Sequence, residues 1–461
     1  MSSFSRNLSR RAFLRRGACA ALGTTGLLST LAQLRVLAAG VAQQSDLAVP
    51  ASEYKALVCL FLYGGNDANN LIIPYQQQAY NNYAQSRSIL AIPRAQLLPI
   101  SPLNGGSYAL HPAAAPLQAL FDQQRLAVLA NVGTLIAPVT KADYESGTAA
   151  LPAQLFSHSD QSVQWQAALP DNPRKLGWGG RIADLLTALN ESNQISMSIS
   201  LAGINTWQNG NSTIQYQMSD EGAVGIDMLS QEWVPQVRKD TFTGLLDLER
   251  KNLFEQTIAT NTQRAITNER LVNAALASVP KPTVQFADTE LGNQLRMISR
   301  LIKAGPSLGF RRQIFFASLG GWDTHDAQLT AQTELLTEFS AALASFYQAT
   351  VDYGMASQVT TFTASDFGRT FTTNGKGSDH GWGNHHLVLG GAVQGGRIYG
   401  TMPELVVDGP NDTGYGRWIP TTSVDQYSAT LARWFGVSDS ELPTIFPNIG
   451  NFATRDLGFM G

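Results

Sequence analysis

The chain has 461 residues, 44% of them hydrophobic and 15% charged, with a formal net charge of −3. A hydrophobic share close to the ordinary ~45–50% supports a packed core, and 41 Gly with 20 Pro is ordinary usage, which excludes collagen-like and low-complexity chains. No basic block is present to hold a nucleic acid, and two cysteines cannot build a disulfide framework.

In chain order the first feature is Ser-Arg-Arg-Ala-Phe-Leu-Arg at 9–15, followed by a moderately apolar stretch over 17–34 and a small-residue exit after Arg35. This resembles a twin-arginine export signal, with cleavage after Ala38 or after Ala42 both open. Spanning a bilayer takes about 20 strongly apolar residues. Gly and Thr dilute this stretch, so a removable leader over 1–42 is expected, leaving no stable membrane span. The twin-arginine translocase is then the expected partner during export, and the periplasm or the exterior the destination. The leader takes Arg6, Arg10, Arg11, Arg15, Arg16 and Arg35 with it and no acid, so the net charge falls from −3 to −9. Cys59 remains as a lone thiol, which suits a chain folded in a reducing cytoplasm before export.

Beyond the leader, 55–63 and 125–132 are apolar runs that read as buried strands, the first stopped by Gly64-Gly65. A helical stretch starts at Pro112, and 195–201 alternates Ile, Met and Leu with serines like a half-buried strand. The region 243–278 is helical and polar, then Pro280 and Pro282 break it. Leu291, Leu295, Ile298 and Ile302 mark the next helix, and 313–319, a helix over 336–346, and strands at 358–364 and 386–393 follow. A last helix runs from about Ser423 to Phe435. Strands alternating with helices predict an α/β domain with a mainly parallel sheet covered on both faces, over 43–461, with 205–280 as a polar helical insertion or cap.

In open α/β sheets ligands bind beyond the carboxyl ends of strands. Four segments fall there: 64–70 with Asp67, 320–326 with Asp323 and His325, 365–370 with Asp366, and 377–386 with Asp379, His380, His385 and His386. Four of the six histidines lie in these loops beside aspartates, which is what a divalent metal needs: imidazole nitrogen, carboxylate charge, and loops to bring both together. Singly each has a structural explanation, such as a turn-forming Asp67 after Gly-Gly. Of His385 and His386, one at most should face inward, because neighbours on an extended chain point to opposite sides. The glycine-rich 390–400 fits neither dinucleotide nor Walker loops and reads as a hairpin. Arg369 and Arg397 suit anion contacts or salt bridges. CxxC, HExxH and GxSxG are absent, which disfavours zinc ribbons, zincins and serine hydrolases with the usual elbow. Ser157 or Ser159, before the helical segment that holds Trp165, offers a hydroxyl at a helix N-terminus or an ordinary N-cap.

Together the strings FLYGGNDANNLIIPY, LFSHSDQ, GWGGR, GGWDTHDAQ, SDFGRT and GSDHGWGNHHLVLGGAVQGGRIYG resemble the exported bacterial family described as domain of unknown function 1501, over nearly the whole chain. That family is similar to the alkaline phosphatase and sulfatase superfamily. The resemblance implies a three-layer α/β/α sandwich, one or two divalent metals, and hydrolysis of phosphate or sulfate esters on a small-molecule or glycan substrate. Carried over, it implies Asp67 as a bridging-site ligand and Ser157 as the nucleophile. Asp323 and His325 follow, then Asp366 or Asp379 with His380, then His385 or His386. Zinc is the metal implied, with calcium, magnesium and manganese open. The chain departs from the pattern in three places: Asp323 and His325 stand close together, Phe367 replaces the usual Asp-His, and the Cys-x-Pro-x-Arg of formylglycine sulfatases is missing. The alternative is a non-catalytic periplasmic binding or surface-assembly protein on the same core, with Trp207, amid Asn and Gln, contacting sugar or partner.

Overall fold

The first apolar run forms β1 (Lys55–Leu62), seven of whose eight residues are buried. A strand covered on both faces needs no polar alternation, which is why the sequence there is almost continuously apolar. The computed structural model describes residues 54–171, 176–191 and 194–461, so the expected leader lies outside the described residues. After β1 come β2 (Ile72–Pro74), α1 (Gln77–Arg87), β3 (Leu98–Ile100), β4 (Tyr108–Leu110), α2 (Ala115–Asp122) and β5 (Leu126–Gly133). The chain continues through α3 (Lys141–Ser146), α4 (His158–Ala167), α5 (Trp178–Leu186), β6 (Ser198–Ser200), β7 (Tyr216–Gln217), α6 (Asp227–Ser230), α7 (Gln236–Leu246) and α8 (Leu253–Ser278). It then passes through α9 (Glu290–Ala304), β8 (Arg312–Leu319), α10 (Gln328–Asp352), β9 (Val359–Ser365), β10 (Asn384–Gly390), β11 (Ile398–Tyr399), β12 (Thr422–Ser423), α11 (Val424–Phe435) and α12 (Leu442–Ile445).

The larger sheet runs β11-β5-β10-β9-β1-β8-β6-β7, with β12 also on β5. All its pairings are parallel except those of β10, which is antiparallel to both β5 and β9. A smaller antiparallel sheet, β2-β4-β3, stands beside it. Helices cover both sides of the larger sheet. On one side α2, α9 and α10 pack together, with Trp322 edge-on to Phe339 of α10. On the other, α4, α5 and α11 meet an aromatic cluster in which Trp178, Trp207 and Tyr427 surround Phe362 of β9. The architecture is therefore an α/β/α sandwich on a mainly parallel sheet.

Two local expectations are corrected. The glycine-rich 390–400 stretch is not a hairpin: β10 ends at Gly390 and the chain crosses to the far side of β5, where β11 pairs in parallel. Trp207 is buried rather than displayed, its ring edge-on to Trp178 and Phe362 and tilted to Phe316. The 205–280 region carries β7 and α6 to α8. The long α8 buries only Ala259, Ile266, Val272 and Leu276, a stripe along one side. No helix among the described residues is long and apolar enough to cross a membrane.

Candidate metal centre

Three adjacent parallel strands, β8, β1 and β9, end at the same edge of the sheet, and the loops leaving them meet there. The turn after β1 requires glycine: Gly64 and Gly65 have φ of +116° and +84°. A Cβ on Gly64 would strike the backbone of Trp322 and Asp323, and one on Gly65 the ring of Phe367. This close approach lets Gly64 N donate to Asp366 Oδ2 at 2.9 Å, at the end of β9.

Above that turn three imidazoles converge. His158 Nε2 and His325 Nε2 lie 3.1 and 2.9 Å from His380 Nε2. Asp323 Oδ1 is 2.9 Å from His325 Nε2 and 3.3 Å from His380 Nε2, and its Oδ2 is 3.4 Å from His158 Nε2. Ligand atoms of His158, Asp323 and His380 all lie within 4.8 Å of one another, and His325 joins through Asp323 and His380. Every imidazole is anchored through its other nitrogen. His158 Nδ1 donates to Asp366 Oδ2 at 2.7 Å, His325 Nδ1 to Asp379 Oδ1 at 2.9 Å, and His380 Nδ1 to the Phe156 carbonyl at 2.7 Å. Carboxylates and carbonyls only accept, so each Nδ1 carries the proton and each Nε2 presents a lone pair to the centre. His380 Nε2 stands about 3 Å from each of the other two, facing lone pairs at that distance repel unless a cation stands between them, and imidazoles oriented by carboxylates and a carbonyl are the usual surroundings of a bound metal. The residues present therefore fit a divalent metal.

The surroundings tune these groups. Arg369 is fully buried; its Nη1 donates to Asp323 Oδ1 at 2.5 Å and to the Gly64 carbonyl at 3.1 Å. Burial opposes ionisation of Asp323, but the Arg369 hydrogen bond and charge and the neighbouring histidines outweigh it and hold the carboxyl below its ordinary value. The hydrogen bond to Asp366 raises the His158 pKa, whereas burial lowers that of His380. Phe367 walls the site, its ring 4.7 Å from the rings of both His158 and His380. The cluster stays open on one side: the Asp323 and His380 side chains are 44% and 25% exposed.

Of the residues expected at a metal, Asp323, His325 and His380 are brought together here. Asp366 and Asp379 stand one step out, as acceptors behind His158 and His325. Asp366 is otherwise committed to Gly64 N and to Ser162 Oγ at 2.6 Å, and Asp379 to Asn374 Nδ2 at 3.0 Å. Asp67 lies outside the group. Its carboxylate is buried, with Oδ2 taken by Arg87 and Gln328 Nε2 and Oδ1 accepting from Asn69 N. His385 is also outside, buried, with Nδ1 accepting from Asn131 N, so its proton sits on Nε2 and neither nitrogen is free to ligate. His386 is buried too, against Trp165 and Tyr427. Both neighbours point into the interior because strand β10 is covered on its two faces. Ser157 caps α4, but its hydroxyl donates to Asp160 Oδ2 at 2.6 Å and makes no hydrogen bond to the cluster. The residue that this segment contributes is His158, the first of α4, which the sequence reading passed over. Its signal was a fifth histidine in a polar loop ahead of a helix, inside the family string LFSHSDQ.

An α/β/α protein with a His/Asp centre at its strand ends is thus the class defined by fold and site. Residues 54–441 match the family described as "Protein of unknown function (DUF1501)", and the chain belongs to that family. No curated protein matches the chain. Among solved structures it is similar to Ps i-CgsB in complex with k-i-k-neocarrahexaose, with 11% identity and a TM-score of 0.33 over 86% of this chain and 77% of that one. It is also similar to a mutant of the alkaline phosphatase PafA, with 11% identity and a TM-score of 0.25 over 70% of this chain and 64% of that one.

Proposed function

We propose that the chain is an exported, metal-dependent hydrolase of phosphate or sulfate esters, carried by the twin-arginine route to the periplasm or beyond. The observation that carries the metal is the convergence of His158, His380 and Asp323, with His325 Nε2 2.9 Å from His380 Nε2 and each imidazole fixed by an acceptor at Nδ1. Nitrogen-rich donors with one carboxylate suit zinc best. Zinc held by His158, His380 and Asp323, with His325 beside them, would supply Lewis-acid polarisation of a phosphoryl or sulfuryl oxygen. The chain's own residues do the rest. Asp366, Asp379 and the Phe156 carbonyl keep the imidazoles in their ligating tautomer. Ser157 Oγ is the hydroxyl we assign to attack phosphorus or sulfur, its proton passing to Asp160 Oδ2 at 2.6 Å. The P–O or S–O bond to the leaving alkoxide breaks, the alkoxide takes a proton from water, and water then hydrolyses the serine ester.

Metal analysis of natively folded protein tests the first half: about one zinc per chain is expected in wild type. Wild type without metal, or Asp323→Ala and His380→Ala with wild-type content, would defeat the reading. A panel of phosphomonoester, phosphodiester and sulfate ester, with and without chelator, tests the second. The exposed Trp233, Leu253, Phe254 and Ile258 at 205–280 favour a second reading, a non-catalytic binding or assembly protein. Chelator-sensitive turnover of any ester counts against it.

A further inference from the structure

The segment between β11 and β12 contributes Gly414-Tyr415-Gly416-Arg417, and its backbone is unusual. Gly414, Tyr415 and Gly416 have φ of +114°, +62° and +71° in succession. Glycine takes such angles freely, but for tyrosine the conformation is strained, so something must hold it there. Two hydrogen bonds do: Thr372 N and Phe371 N donate to the Tyr415 and Gly416 carbonyls. Gly416 also passes so close to Phe371 that a Cβ would overlap the Phe371 side chain. The turn closes where Arg417 N donates to the Gly414 carbonyl.

This held loop presents one guanidinium. Arg417 Nε donates to the His380 carbonyl at 2.8 Å, and the guanidinium carbon lies 5.0 Å from the Phe156 ring centre and 5.2 Å from that of Tyr415. Phe156 is also the residue whose carbonyl holds His380 Nδ1. The cation is therefore clamped between two rings, beside a member of the metal cluster, with its plane set. Among the described residues no carboxylate pairs with it, and neither Nη1 nor Nη2 has a hydrogen-bond partner. Arg369 differs in each respect: it is sealed below the cluster and spent on Asp323, Gly64 and Ser378. A half-buried guanidinium with its two outer nitrogens free and its orientation fixed is the arrangement that binds planar pairs of oxygens on a tetrahedral anion.

We propose that Arg417 is the anion-binding residue of this site, taking two oxygens of the phosphate or sulfate group of the ester, with Phe156 and Tyr415 holding its plane. The proposal rests on the reading of the cluster as an ester-hydrolysing centre, but its test does not. Binding of inorganic phosphate is measured by calorimetry on zinc-supplemented and on chelator-treated protein, for wild type, Arg417→Gln and Arg417→Lys. A charge-assisted pair contributes enough that Arg417→Gln should weaken phosphate binding about tenfold or more in whichever state wild type binds it. Arg417→Lys, which keeps the charge but not the fork or the stacking, should fall between the two. Zinc content of the variants should equal wild type, because Arg417 supplies no ligand. Wild type that binds no phosphate in either state, or Arg417→Gln that binds it as tightly, overturns the proposal. Zinc uptake in the same preparations decides the metal reading separately.

Discussion

Replacing Asp366 by Asn probes how the cluster is held rather than what it is made of. Asp366 is 2% exposed and never points at the centre. Its Oδ2 accepts from His158 Nδ1 at 2.7 Å and Gly64 N at 2.9 Å, and its Oδ1 from Ser162 Oγ at 2.6 Å. Asparagine keeps the shape and one acceptor, which can still serve His158 and Gly64, while its amide can donate to a rotated Ser162 hydroxyl. The fold should survive. What goes is the negative charge that makes the His158 imidazole a strong donor of its lone pair. Removing such an outer partner costs about 10–100-fold in metal affinity. At fixed free zinc above both dissociation constants, the zinc-induced gain in stability should shrink by about 1.4–2.7 kcal/mol. Competition against a chromogenic chelator gives the affinity, and denaturant melts with and without zinc give the stability. Ser162→Ala, which removes a donor but leaves the carboxylate, should lose far less. Zinc affinity unchanged in Asp366→Asn would refute the idea that the centre depends on the Nδ1 anchor.

The remaining predictions concern pH and backbone. Burial pushes Asp425 up to about 8, and neither of its oxygens has a partner outside its own residue. Its folded value exceeds its unfolded one of about 4, so stability is complete below pH 4 and declines as pH rises toward 8. The loss is on the order of 5 kcal/mol, and pH-dependent denaturant melts of Asp425→Asn should lack this slope. Burial lowers His386 to about 3, and His385 to about 4 against the opposing charge of Asp67. These have the opposite sign: stability is complete above about pH 6.5 and falls with acid toward pH 3–4, and His386→Leu should flatten that acid limb by several kcal/mol. A wild-type slope retained in either variant argues against the burial assignment. Gly64→Ala should displace Asp323, lowering the melting temperature by several degrees and weakening zinc at least tenfold; wild-type behaviour would show that the turn tolerates a side chain.

The sheet was legible because burial writes itself into composition. The apolar runs at 55–63, 125–132, 313–319 and 358–364 correspond to β1, β5, β8 and β9, and the strand-end rule then located the loops that meet. Two things were not legible. The direction of β10 depends on a pairing register that no local pattern encodes, so the glycine-rich stretch after it reads as a hairpin when it is a crossover. Sequence also does not say which nitrogen or oxygen of a polar residue is already occupied. Asp67, Asp323 and Asp366 look alike in their loops, yet Arg87 and Gln328 use up the first, Arg369 leaves the second partly available, and His158 and Gly64 take the third. His158 is hard to see because one histidine between two serines ahead of a helix reads equally well as part of an ordinary N-cap.

The arrangement of the two buried arginines gives the site its charge. Asp67, at the end of β1, faces Arg87, and Asp323 faces Arg369. Ser378 and Gln328 link the two pairs: Arg369 donates to Ser378, Ser378 to Gln328, and Gln328 to Asp67. A carboxylate that would otherwise call for a second cation is thus answered by a guanidinium fixed in the fold. The same logic applies at Asp323, whose charge Arg369 offsets. Asp366 and Asp379, behind His158 and His325, have only imidazole, amide and hydroxyl partners, so their charge would fall to a cation at the cluster, in a partly buried setting where electrostatic interactions are stronger than in water.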